Sequence, residues 1–200
     1  MAFPGFFDVV PTIIVRGRLA EFLGAADGGL IEYGYADAVK LAGHSCPTVA
    51  GSYLLACRML RALYADQLPQ RGEIGVEFGD PLEAGVSGAM AAVFGLLTGA
   101  AAGGGFKGLA GRFSRRELLR FGVDLPAAIR CTRQDNGQSV CASRQLDQVA
   151  ADSRLGPLLQ GLLAGNSDPG QQALFTRLWQ DRVRRILVEH FADPRLVSFA

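Results

Sequence analysis

Residues 41–51 read LAGHSCPTVAG and hold one of only two histidines in a chain of 200 residues. His44 stands two positions before Cys46, and Pro47 follows. Proline suits the first turn of a helix, because its missing N–H would be unpaired there anyway. Cys46 then falls at the N-cap, with its sulfur facing the free N–H groups of that turn. A thiol in such a place is biased toward thiolate, since the helix dipole is positive at its start. A thiolate with an imidazole two residues away is the beginning of a transition-metal site, for which zinc or iron is the fitting ion. The same two side chains could act as nucleophile and base. A plainer alternative has His44 bonded to a backbone carbonyl and Cys46 packed as a small hydrophobe. Gly43 and Gly51 would let another segment or a ligand approach closely.

The elements that must position this pair follow from periodicity and turn residues. Residues 11–24 suggest a short helix stopped by Gly24, and 30–35 a strand. Asp37 is placed to cap a helix that ends at Gly43. The next helix runs from Pro47 to about Tyr64, and residues 69–70 break it. Residues 73–78 alternate as a strand does. Ser87 is placed to cap a buried helix over 88–97, and 99–113 form a glycine-rich loop. Ser114 would start a short helix in SRRELLRFG. Residues 127–134 and 138–144 flank Asp135-Asn136-Gly137, a hairpin signal. Helices follow over 154–164 and 169–191. The expectation is an α+β fold, with a mixed or antiparallel sheet packed against helices. Residues 1–150 form the α+β domain, and 151–200 a helical extension packed on it.

The formal net charge is +1. That balance gives no field for nucleic acid or an anionic membrane, so neither is an expected partner. Asp8 and Pro11 interrupt the apolar N-terminal run, which lacks a basic start, so it is not expected to be a signal peptide. Glycines break the uncharged stretch 86–106, so no membrane span is expected. A cytoplasmic protein follows. The four cysteines, Cys46, Cys57, Cys131 and Cys141, show no CxxC spacing and are expected as free thiols. Eleven helical residues rise about 16 Å, too far for Cys57 to share a metal with Cys46, so Cys57 belongs to the core. A two-residue turn at 136–137 would pair 131 with 142 and send Cys131 and Cys141 to opposite faces. A three-residue loop would pair them directly. His190, near the end of the last helix, is expected to be structural. Arg112, Arg115, Arg116 and Arg120 read as a solvated or salt-bridged face.

Gly43-His44-Ser45-Cys46-Pro47, followed by a helix of small residues, resembles the GHxCP motif of the FmdE family, the formylmethanofuran dehydrogenase E-type proteins and their relatives. The likeness extends over about residues 10–145. Residues 73–78 match the next strand of that family and 85–99 its next helix. Thr98-Gly99, with the glycines and Lys107, is similar to its TGC–glycine–lysine stretch. The resemblance implies an α+β homodimer with a metal, most often zinc, near the motif. It implies His44 and Cys46 as metal ligands, and Gly105 and Lys107 as contacts for an anionic small-molecule ligand. Ala100 stands where the family carries a cysteine, so a third ligand is missing. A carboxylate such as Asp37 could replace it, a partner chain could supply it, or the position could stay open to a ligand. Haem is a further variant of the metal reading, on the Cys46-Pro47 dipeptide. A non-catalytic binding or sensing protein and a scaffold with a vestigial site are the alternatives. Lys40 reads as a surface residue.

Overall fold

The computed structural model describes residues 3–165 and 168–200. The chain begins with β1 (Ile13–Arg16), α1 (Arg18–Phe22), β2 (Leu30–Tyr33) and α2 (Tyr35–Ala42). It continues through α3 (Pro47–Tyr64), β3 (Ile74–Phe78), α4 (Ser87–Thr98), β4 (Leu119–Arg120), β5 (Ile129–Arg133) and β6 (Ser139–Arg144). It ends in α5 (Leu155–Leu163), α6 (Pro169–Arg184) and β7 (Val197–Phe199). The fold is α+β. β1 and β2 make a two-stranded antiparallel sheet, and the five-stranded sheet has the order β4-β3-β5-β6-β7. Only the β3–β4 pair in that sheet is parallel.

Helix α3 is apolar nearly all round, and such a helix must be covered on every side. It packs against β5 and β6 on one side and against α2, α4 and α6 on others. Tyr53, Leu54, Leu55, Cys57, Met59 and Leu60 are fully buried along it. The core face of the sheet supplies Ile74, Val76, Ile129, Cys131 and Ala142. The alternation Ile129, Cys131, Arg133 inward and Arg130, Thr132 outward is the strand period at work. Cys57 and Cys131 are core residues, and burial pushes the Cys57 thiol up to about 12. All four cysteines are free.

Four local expectations are corrected. Residues 13–16 are a strand, because Ile13 and Val15 alternate into the core while pairing with β2; only 18–22 is helical. No helix starts at Ser114. Phe113 and Glu117 take left-handed conformations, and the segment's backbone bonds Ala101 and β3 instead of itself. Tertiary pairing overrides local helix propensity there. The hairpin pairs Cys131 with Val140 and Arg130 with Cys141. Residues 134–137 form a four-residue loop in which Asn136 accepts from the Gln138 N–H. Neither of the two expected turns occurs, yet Cys131 and Cys141 do face opposite ways. The last helix ends at Arg184 and passes into a π-helical turn, Arg185–Glu189. After it, β7 joins the sheet edge beside β6, so residues 151–200 are not purely helical. Among the described residues no helix is long and apolar enough to cross a membrane.

Candidate functional site

The loop between α2 and α3 carries the motif. α2 stops at Gly43, which takes φ 74°, a left-handed value that glycine reaches without strain. A Cβ on Gly43 would meet nothing within 4 Å, so this glycine serves the turn and not a close approach. Gly51 differs. A Cβ there would lie 2.7 Å from Leu146 Cδ1 and 3.2 Å from Arg144 Nη1, so the segment after β6 closes directly onto α3.

Cys46 is the N-cap of α3 and Pro47 the first helical residue, as the sequence implies. The Val49 N–H donates to Cys46 Sγ at 3.4 Å. His44 Nδ1 lies 2.9 Å from the Ala42 carbonyl oxygen. A carbonyl only accepts, so Nδ1 carries a proton, and in the neutral imidazole Nε2 is then the nitrogen with the free lone pair. This is the tautomer and the backbone tether that metal-ligating histidines use. His44 and Cys46 line one cavity of about 370 Å³, with Leu41, Val49, Val86 and Val93. Arg144 reaches this region from the core face of β6, and its Nη1 donates to the Thr48 carbonyl at 3.3 Å. Burial works against the charge of Arg144, and the Cys46 sulfur nearby favours it.

Ser45 is held from three directions. Its carbonyl accepts from Trp179 Nε1 at 3.0 Å and Gln180 Nε2 at 3.3 Å. Its hydroxyl donates to Gln180 Oε1 at 3.0 Å. That uses the only Ser45 proton, so Tyr35 must donate to Ser45 Oγ, 2.9 Å away. Burial raises the Tyr35 phenol well above its ordinary value, so it remains a donor. Sequence reasoning misses Tyr35, Arg144, Trp179 and Gln180. The only signal for them is that Trp179 is the chain's single tryptophan, placed on an amphipathic helix.

The other sequence candidates lie elsewhere. Asp37 accepts from the Gly34 N–H at 3.0 Å and pairs with Lys40 at 3.0 Å. It caps α2 from the third helical position. His190 closes the π turn with Nδ1 3.0 Å from Asp193 Oδ2. Gly105 packs tightly, with its Cβ position 3.1 Å from the Arg115 carbonyl oxygen, and Lys107 is exposed. Neither lines the cavity of His44 and Cys46. Ala100 follows the end of α4, seven residues beyond Val93, or about 10 Å along a helix axis. Of the four arginines, Arg116 donates to the Gly105 carbonyl and Arg112 lies over Phe113. Arg120 stands 3.9 Å from Glu77, and Arg115 is buried.

Among the described residues, no three His, Cys, Asp or Glu side chains gather where one metal ion could be held. His44 and Cys46 supply half of a tetrahedral donor set, and the described residues of one chain do not complete it. No family model matches the chain, and no curated protein matches it.

Proposed function

We propose that this protein binds a transition metal, zinc for preference, through His44 Nε2 and Cys46 Sγ at the head of α3. The remaining positions are left to a small ligand or to a second copy of the chain. The observation that carries the reading is the pairing of a thiol with a histidine whose Nδ1 is tethered to a backbone carbonyl, on one apolar cavity. The likeness of residues 43–47 to the GHxCP motif of the FmdE family supports it. Leu41, Leu82 and Val86 are exposed apolar side chains around this end of α4, and a homodimer would cover them. Four free thiols suit a reducing compartment such as the cytoplasm.

The cavity itself favours a second reading. Apart from His44, Cys46 and Thr48, its walls are leucine, valine and alanine, which suits an apolar ligand carried without metal, or haem. One experiment separates the two. Metal content by elemental mass spectrometry and the visible spectrum are recorded for wild type, His44→Ala and Cys46→Ala, all purified without chelator. Near-stoichiometric, colourless metal lost in both variants is the expected result. A Soret band moves the assignment to haem. No metal after reconstitution with zinc or iron overturns the metal reading.

A further inference from the structure

At the far end of α4 a second arginine environment stands apart from the histidine and cysteine. The Arg115 side chain passes between Gly72 and Gly99, whose φ values are 93° and 74°. A Cβ on either glycine would overlap the guanidinium. The slot therefore exists only because both positions lack a side chain. Arg115 is 8% exposed, and its Nη1 is buried without any hydrogen-bond acceptor. Arginine does not give up its proton in a protein, so the charge stays. Burial and the neighbouring Arg71 work against that charge, and Tyr33 and Glu73 only partly offset them.

A second guanidinium lies alongside. Arg71 Nη1 is 3.2 Å from the same Cβ position on Gly99. Its Nε and Nη2 donate to the Leu96 carbonyl at 3.2 and 3.0 Å, which fixes it at the C-terminal end of α4. The two arginines border two cavities. One, about 240 Å³, also contains Glu73 and Arg18, which pair at 3.3 Å. Its charges are already partly matched. The other, about 360 Å³, is walled by Leu19, Gly95, Gly99, Ala100, Ala101 and Phe106. It has two positive groups, apolar walls and no carboxylate.

We propose that this second cavity binds a phosphate group carried by a small molecule with an apolar body. Two adjacent guanidinium groups match a dianion better than a single carboxylate. Leu19 and Phe106 supply the apolar wall, and the carbon skeleton of the ligand covers them. The site is independent of any metal at His44 and Cys46.

The test is calorimetric titration with inorganic phosphate, phenyl phosphate and benzoate, at one ionic strength held by chloride. Phenyl phosphate should bind most tightly, phosphate next and benzoate least. Arg115→Met should weaken both phosphates by about ten- to a hundredfold, the range of a hydrogen-bonded charge. Arg115→Lys should recover part of the loss. Phe106→Ala removes a side chain that is 43% exposed, so folding is spared. It should weaken phenyl phosphate and leave inorganic phosphate unchanged. Absence of phosphate binding to wild type at millimolar concentration overturns the proposal. So does benzoate binding more tightly than phenyl phosphate, or phosphate binding unchanged in both Arg115 variants.

Discussion

Ser45→Ala probes whether α6 and α2 really hold the motif loop. The Ser45 hydroxyl accepts from Tyr35 and donates to Gln180, and Tyr35 is only 1% exposed. Removing Oγ leaves the Tyr35 hydroxyl buried with no acceptor, which costs about 1–3 kcal/mol. Gln180 is half-buried and can turn toward water, so it adds little. A loss of about 2 kcal/mol corresponds to roughly 4–8 °C in Tm for a chain of this size. Tyr35→Phe alone leaves Ser45 able to find water, and should cost less, about 1 kcal/mol. In Tyr35→Phe/Ser45→Ala both polar partners are gone, so the double variant should be no less stable than Ser45→Ala alone. Urea unfolding, followed by the fluorescence of Trp179, reads all four proteins. Additive losses, or a Ser45→Ala loss under about 0.5 kcal/mol, would show that the bond network does not hold the loop.

Thiol accessibility gives a direct check of the cysteine placements. Cys46 is half-buried and the other three are buried, so a thiol reagent should label one group quickly in the native protein and four after unfolding. Loss of the fast phase in Cys46→Ala identifies it. Asp37 offers a pH test. Burial opposes its charge, but the Gly34 N–H and Lys40 outweigh that and hold the carboxyl below its ordinary value. Its contribution is therefore full above the unfolded carboxylate range, near pH 4, and is lost as pH falls through the lower folded value. Asp37→Asn should cost about 0.5–1 kcal/mol at pH 7, and the difference from wild type should shrink as pH falls below the ordinary carboxylate range. A constant difference across that range in denaturation midpoints would place the effect in packing.

The elements nearest the candidate site were the most legible. Cys-Pro at a helix start is a local rule: proline fixes its own φ and cysteine meets the free N–H groups, whatever surrounds them. The apolar run of α3 and the alternation of β3 declare burial by period alone. What failed depends on partners distant in sequence. Ile13–Arg16 has few residues, and its strand identity comes from pairing with Leu30–Tyr33. The segment after Ser114 carries helix-forming arginines and leucines, but its backbone is taken by Ala101 and β3. Trp179 and Gln180 reach Ser45 from more than 130 positions away, and no spacing rule spans that. The solvated-face reading of the arginines missed Arg115, because the slot that buries it is made by two glycines in other segments.

Helix α4 decides how many sites this surface can hold. Its first half, through Ala89, Ala92 and Val93, walls the cavity of His44 and Cys46 together with the preceding Val86, and its last turn, with Ala100 and Ala101, walls the cavity of Arg71 and Arg115. Its twelve residues span about 18 Å, more than a small ligand can bridge. A cysteine placed at Ala100 would therefore sit with the arginines, not with His44. If Ala100→Cys raised metal affinity in the monomer, α4 would have to shift by about two turns, contrary to the packing of Met90, Val93, Phe94 and Leu97 in the core. A third donor from a second copy needs no such shift. If a second copy supplies that donor, metal affinity rises with protein concentration, in step with dimer formation by sedimentation; if a small ligand fills the open positions, it does not. Concentration-independent, tight metal binding by a monomer would be incompatible with a donor set of His44 and Cys46 alone.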